Sequence, residues 1–203
     1  MVKQERAVRT RKSLIRAAAE VFAEEGYAPA SLTTISKRAG VSNGALHFHF
    51  QTKNELAQAV EDEAVDVVAR LVKGTLGPEG GPLQALVDAT YGLMGCLSDD
   101  IVVRAGFELC GDRARRSGSQ LVRHWHQWVE EVLSRAEEEG HLASGVSPED
   151  AAAAIVAVTV GLEVLGGEDP RWFAERRIIG FWSLLLPSLA REHVLLSPRR
   201  NAR

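Results

Sequence analysis

Thr33-Thr34-Ile35-Ser36-Lys37-Arg38-Ala39-Gly40-Val41-Ser42-Asn43-Gly44-Ala45-Leu46-His47-Phe48-His49-Phe50 decides the fold. Two short helical segments flank Gly40-Val41. Thr33 is placed as N-cap of the first, over Thr33 to Ala39, with Gly40 just past its end. Ser42 caps the second, which runs to about Phe48. Helices this short do not hold together alone in water, so both must pack on longer neighbours. Two of them joined by a tight turn containing Gly form a helix-turn-helix, whose second member suits the major groove of DNA.

The neighbours are legible on both sides. Before the motif, Leu14, Ile15, Ala18, Val21 and Phe22 share one helical face that stops at Gly26. After it, Thr52-Lys53-Asn54-Glu55 reads as a capping box opening a helix with an apolar stripe at Leu56, Val60, Ala64, Val67 and Leu71. Gly74 to Gly81 reads as a loop. Pro82 starts a helix reaching about Leu97, and a shorter one fits Ile101 to Leu109. A polar stretch from Gly111 to Ser119 precedes a long helix from about Gln120 to Glu139. Ser147-Pro148-Glu149-Asp150 is a helix start, with a capping Ser, Pro at the first position and acids on the positive end of the dipole. Asp169-Pro170 is read as opening a last helix that carries Trp172, Phe173, Ile178, Ile179, Phe181, Trp182 and Leu184 to Leu186. No strand alternation and no internal repeat competes, so the expected fold is all-α.

Charge divides along the chain. The net charge of −3 over 203 residues hides a basic head: residues 1–53 hold nine Lys/Arg against four acids, or +5. The rest holds 15 basic and 23 acidic residues, or −8. One end is suited to a polyanion while the other avoids it. Within the head, Ser42, Asn43, Gly44 and Ala45 put short side chains on the first turn of the second short helix, where backbone can approach bases. Asn43 has the donor and acceptor pair that fits an adenine edge. Thr33, Lys37, Arg38, His47, His49 and Lys53 are candidates for phosphates, and Phe48 lies on the same helix. Taken singly, Ser42 and Asn43 can be plain caps and the cations plain solvated charge; together, in this frame, they point to double-stranded operator DNA.

These residues resemble the N-terminal domain of TetR-family repressors. The resemblance runs through Thr10-Arg11, Leu14-Ile15, Ala18-Ala19, Phe22, Gly26-Tyr27 and Thr33-Thr34-Ile35. It continues through Ala39-Gly40-Val41-Ser42, Gly44-Ala45-Leu46, His49-Phe50 and Lys53-Asn54-Glu55-Leu56. The run Gly44 to Phe50, followed by Leu56-Ala57-Gln58-Ala59-Val60, is similar to the γ-butyrolactone receptors of streptomycetes. Two positions depart from that pattern: His47 stands where Tyr is usual, and Asn43 where Lys is frequent. The resemblance implies a dimer on a palindromic operator, released by a small lactone, butenolide or furan signal and controlling antibiotic genes. In a pseudo-receptor the signal is instead an antibiotic or another metabolite. It also implies a helix-turn-helix domain over 1–55 and a helical ligand-binding and dimerisation domain over 56–203.

By the same resemblance a Trp on the seventh helix lines the ligand pocket. Trp125 shares a face with Val129, Val132, Leu133 and Ala136, and Trp128 lies only about 60° away around the helix, so both stay candidates. Thr159 interrupts an apolar run and, if buried, must meet either a local carbonyl or a ligand oxygen. Tyr91, Met94 and Val68 complete the candidate lining. Related receptors commonly carry Gln where this chain has Ala64. The segments Ala151 to Leu165 and Trp172 to Leu186 are apolar enough to need cover on every face, which a partner subunit supplies through a four-helix interface.

Other chemistries find little support. His47/His49 and His124/His126 are two apart, so on a helix each pair diverges and cannot share a metal ion. No Gly-rich phosphate loop or nucleophile elbow is present, which argues against an enzyme, and no cofactor is expected. Cys96 and Cys110 read as reduced, half-buried thiols. No uninterrupted apolar run reaches the roughly 18 residues of a membrane span, and the charged N-terminus offers no signal-peptide core. The expected location is the cytoplasm, at the nucleoid.

Overall fold

The computed structural model describes residues 2–75, 80–111 and 120–191. The predicted loop at 76–79 and the polar stretch at 112–119 lie outside them. Among the described residues there are nine α-helices and no strands. They are α1 (Val2–Glu25), α2 (Leu32–Arg38), α3 (Asn43–His49), α4 (Lys53–Thr75) and α5 (Gly81–Asp99), then α6 (Ile101–Gly111), α7 (Gln120–Glu138), α8 (Pro148–Glu168) and α9 (Glu175–Leu189). The chain packs as two compact units, Met1–Val67 with Asp100–Leu121, and Val68–Asp99 with the chain from Val122 onward. This division differs from one at residue 55, because α6 packs along α1 and so joins the helix-turn-helix.

In the first unit the predicted face of α1 is the core: Leu14, Ile15, Ala18, Val21 and Phe22 are all buried. α2 contributes Ile35 and α3 contributes Leu46, each fully buried. Gly26 and Gly40 adopt left-handed backbone, with φ of 80° and 67°, and end α1 and α2. α6 approaches α4 very closely, since a Cβ added to Gly106 would sit 2.6 Å from the Ala64 Cβ.

Three local expectations are corrected. The N-cap of α2 is Ser31, not Thr33: Ser31 is extended and its Oγ accepts from the Thr34 N–H at 3.0 Å, so the helix starts at Leu32. The box at Thr52 is also offset. The Glu55 N–H donates to Thr52 Oγ1 at 3.1 Å, but the Glu55 carboxylate accepts from Gln51 N–H, at 2.8 Å, one residue earlier than predicted. Asp169-Pro170 opens only a 3-10 turn, Pro170–Phe173, and α9 begins after Ala174. The break returns Phe173 onto α8, where a Cβ on the buried Gly166 would lie 2.2 Å from its ring.

The second unit is built on α5, which buries Leu83, Leu86, Leu93 and Leu97 among others, and packs against α8, the 3-10 turn and α9. Two indoles are tied down inside it. Trp182 Nε1 donates to Thr90 Oγ1 at 2.7 Å, and Trp125 Nε1 donates to Thr159 Oγ1 at 3.0 Å. Ser147 caps α8 with Pro148 in its first turn, as the sequence predicts. By length and composition alone α8 is apolar enough to cross a bilayer. Ala151, Ala152, Ile155, Thr159, Leu162, Glu163 and Gly166 of this helix are buried within the unit.

Candidate functional site

The second short helix is held by very little, and that is what exposes it. Of α3 only Leu46 is buried, with Phe50 following at its C-cap. Ser42 caps it, its Oγ accepting from Ala45 N–H at 3.1 Å. At the far end Gln51 Nε2 donates to the His47 carbonyl at 2.7 Å. Ser42, Asn43, Gly44, His47 and Phe48 are therefore left to solvent, with Ala45 and His49 half-buried. Phe48 is 79% exposed and meets the edge of the His49 ring, with centroids 5.2 Å apart. A large apolar ring left this bare, beside short polar side chains, suits a surface that is covered when a partner arrives.

Asn43 is more constrained than the sequence suggests. Its Oδ1 accepts from Ser36 Oγ of α2 at 2.5 Å, and Ser36 is itself buried. The bond ties the amide carbonyl across the turn, while the residue as a whole stays exposed. In this pose Asn43 offers an acceptor-bearing base edge one donor, not the donor and acceptor pair. Nothing in the sequence marks Ser36 as this brace, since the contact spans seven residues across the turn.

The predicted phosphate contacts divide. Thr33 and Lys37 are exposed. Arg38 is engaged within the head: it makes a two-pronged pair with Glu24 at 2.8 and 2.7 Å, and Glu20 lies 3.7 Å away. The hydrogen bond from Arg38 holds the Glu24 carboxyl below its usual range, and Glu24 raises Arg38 in return. Any contribution of Glu24 to stability is therefore present at neutral pH and fades as pH falls through its lowered pKa. Lys53 points inward. Its ammonium donates to the carbonyls of Tyr27 (2.7 Å), Ala28 (2.9 Å) and Ala30 (2.9 Å) and stands 4.5 Å from the Tyr27 ring centroid. With three N–H groups on three carbonyls, it clamps the α1–α2 connection and has no donor left for a phosphate.

In the second unit, Trp125 is fully buried and closed on Thr159, whose Oγ1 also donates to the Val156 carbonyl at 3.0 Å. Of the two predicted partners for Thr159, the local carbonyl is the one present, joined by the Trp125 indole. Trp128 is half-buried and stacks on Trp125, with centroids 5.3 Å apart and planes at 23°. Its Nε1 is buried and has no partner among the described residues, and the same holds for the Tyr91 hydroxyl. Burial, and then the charge of Glu175, push the Tyr91 phenol above its ordinary pKa, so it stays protonated and able to donate. Met94 and Val68 are buried in the same unit. Among the described residues no group of three or more His, Cys, Asp or Glu is placed to hold a metal ion.

A basic head with a capped second helix of the motif, anchored by Leu46 and exposing Asn43, Gly44, His47 and Phe48, defines a helix-turn-helix DNA-binding regulator. The comparisons agree. The model of bacterial regulatory proteins of the tetR family matches residues 14–60. The A-factor receptor protein of Streptomyces griseus is 33% identical over 196 residues, which is 96% of this chain and 69% of that protein. Among solved structures, a γ-butyrolactone receptor described as ArpA-like has a TM-score of 0.79 at 28% identity, covering 92% of this chain and 91% of that one. The CprB protein of Streptomyces coelicolor, solved in complex with its biological operator sequence, has a TM-score of 0.77 at 29% identity, covering 92% and 91%. The chain belongs to the tetR family of bacterial regulatory proteins, and within it resembles the γ-butyrolactone receptors.

Proposed function

We propose that this regulator is a ligand-released repressor that binds a palindromic operator as a homodimer, with one α3 in the major groove of each half-site. The exposed face of α3 is the observation that carries this reading. The apolar surface left on α8 and α9 supports the dimer: Val164, Leu165, Ile179 and Leu184 are 59%, 40%, 41% and 83% exposed, beside the exposed small residues Ala153, Ala154 and Ala157. A second copy of the same surface is the simplest cover, and two copies of α8 and α9 make a four-helix interface. Two heads related by a two-fold axis then require a two-fold symmetric DNA site.

The test is a binding titration of the full chain on a palindromic duplex selected from random sequence. Asn43→Ala is expected to lose about 0.5–1.5 kcal/mol of discrimination, the worth of a single hydrogen bond, at one base position per half-site and little elsewhere. Leu184→Glu is expected to give monomers in sedimentation and to bind the palindrome no better than a single half-site. Unchanged base preference in the first variant sinks the reader assignment, and an intact dimer in the second sinks the interface.

For the effector, the unpartnered donors of Tyr91 and Trp128 in the second unit support a chemistry. Tyr91 and Trp128 call for a small, mostly apolar molecule bearing acceptor oxygens, which an acyl γ-butyrolactone, a butenolide or a furan provides. Release follows if the effector binds better to the form that does not fit the operator. Trp128→Phe keeps the stack on Trp125 and removes only the N–H. It is expected to weaken release by an acyl γ-butyrolactone about tenfold, the loss of one buried hydrogen bond, with operator affinity unchanged. Release at the wild-type concentration would take Trp128 out of the site. A chain that ignores lactones and butenolides but is released by an antibiotic is a pseudo-receptor.

A further inference from the structure

α1 is longer than the core it serves. Its buried face begins at Leu14, yet the helix starts at Val2, so about three turns project beyond the packed part of the head. Residues 4–6, 8–9 and 11–13 of this arm are exposed. Such a segment is helical because it extends a helix already nucleated on the core and is rich in good helix formers. Packing does not explain why it is so basic. Arg6, Arg9, Arg11 and Lys12 stand against Glu5 alone between residues 4 and 13. Among the described residues, Arg6, Arg9 and Lys12 make no ion pair, in contrast with Arg16, which lies 3.4 Å from Glu20, and with Arg38.

The arm is also aimed. Glu5, Arg6, Arg9, Thr10 and Ser13 line one side of a groove whose other wall is Val41, in the turn that leads into α3. Ser13 Oγ donates to the Ala39 carbonyl at 3.4 Å, and the Arg11 guanidinium stands 5.2 Å from the Phe50 ring centroid at the end of α3. Unpaired arginines one helical turn apart thus lie along the turn of the reader and extend its surface past the motif.

We propose that the N-terminal half of α1 is a second DNA-contacting element, in which Arg6 and Arg9 bind backbone phosphates flanking the bases read by α3. It rests on the reading of α3 as the DNA reader. The partner is duplex DNA and not an acidic protein segment, because the basic surface is continuous with that reader and, among the described residues of the arm, Val8 is the one large apolar side chain exposed.

The test uses the full chain with Arg6→Ala and Arg9→Ala combined, on duplexes that end at the palindrome or run ten base pairs past it. Each phosphate contact contributes about 0.9 to the slope of log K against log salt. With two such contacts in each subunit of the dimer, the variant is therefore expected to flatten that slope by about 3.6, so that its deficit shrinks on the order of a hundredfold between roughly 50 and 200 mM salt. It is also expected to lose the preference of the wild type for the longer duplex while keeping its base preferences. Arg70→Ala with Arg123→Ala, exposed cations of the second unit, removes the same net charge and should leave the slope alone. A slope unmoved by the arm variant overturns the proposal, as does one moved equally by the control pair. A wild-type chain without any sequence preference overturns the reading of α3, and the role of the arm with it.

Discussion

Trp125→Ala is expected to lower the stability of the second unit by about 3–5 kcal/mol, the cost of emptying a large, well-packed core position. The side chain is fully buried, donates its indole N–H to Thr159 and carries the Trp128 ring on its face. Removing it leaves a cavity, a Thr159 hydroxyl that keeps only its bond to the Val156 carbonyl, and a neighbour without its stacking partner. Denaturant unfolding followed by circular dichroism measures the effect. Thr159→Val separates the parts: it fills the space but strands the indole N–H, and should cost about 1–3 kcal/mol. If Trp125→Ala shifts stability by less than about 1 kcal/mol, the residue is not the core anchor described. Loss of effector response in that variant would say nothing of a ligand, because the wall behind Trp128 would be gone.

The second large effect falls in the head. Lys53→Ala is expected to destabilise the first unit by about 2–4 kcal/mol, since charge-assisted hydrogen bonds are the stronger kind and three carbonyls lose their donor at once. The Tyr27 ring loses its cation as well. At a temperature where the head is still folded, the salt dependence of operator binding should be that of the wild type. A stable variant whose salt slope falls by about 1.8, one contact from each subunit of the dimer, would instead put Lys53 on a phosphate. The comparison discriminates because a phosphate contact affects binding and not unfolding, whereas a clamp affects unfolding first.

Lys53 also shows where sequence reading stops. The helix-turn-helix was legible because it depends on local features: Gly40 past one helix, Ser42 at the head of the next, and an apolar face on α1. Those are short-range preferences, and the structure displaces them by one or two residues at most, as at Ser31 and Gln51. The destination of a long side chain is not local. A lysine in a basic head looks like a phosphate ligand until the carbonyls of Tyr27, Ala28 and Ala30, more than twenty residues earlier, are seen around it. Arg38, drawn to Glu24, is the same case, and so is the Ser36 brace on Asn43. In the second unit the apolar face that Trp125 shares with Val129, Val132, Leu133 and Ala136 is buried, but periodicity leaves Trp128 as a candidate beside it and cannot say that the Trp125 N–H is already taken while that of Trp128 is not.

The crossing of α4 and α6 bears on how readily residues can be exchanged between regulators of this kind. The family resemblance places Gln in related receptors where this chain has Ala64, which invites reading that position as an exchangeable part of ligand recognition. Ala64 is instead fully buried in the first unit against Gly106, where even one added carbon on the glycine would lie 2.6 Å away. A longer side chain at 64 has nowhere to go unless α6 withdraws, and α6 is packed on α1. Placing a glutamine at 64 in this chain would therefore mean redesigning the helix opposite it, and its cost would appear as lost stability of the first unit.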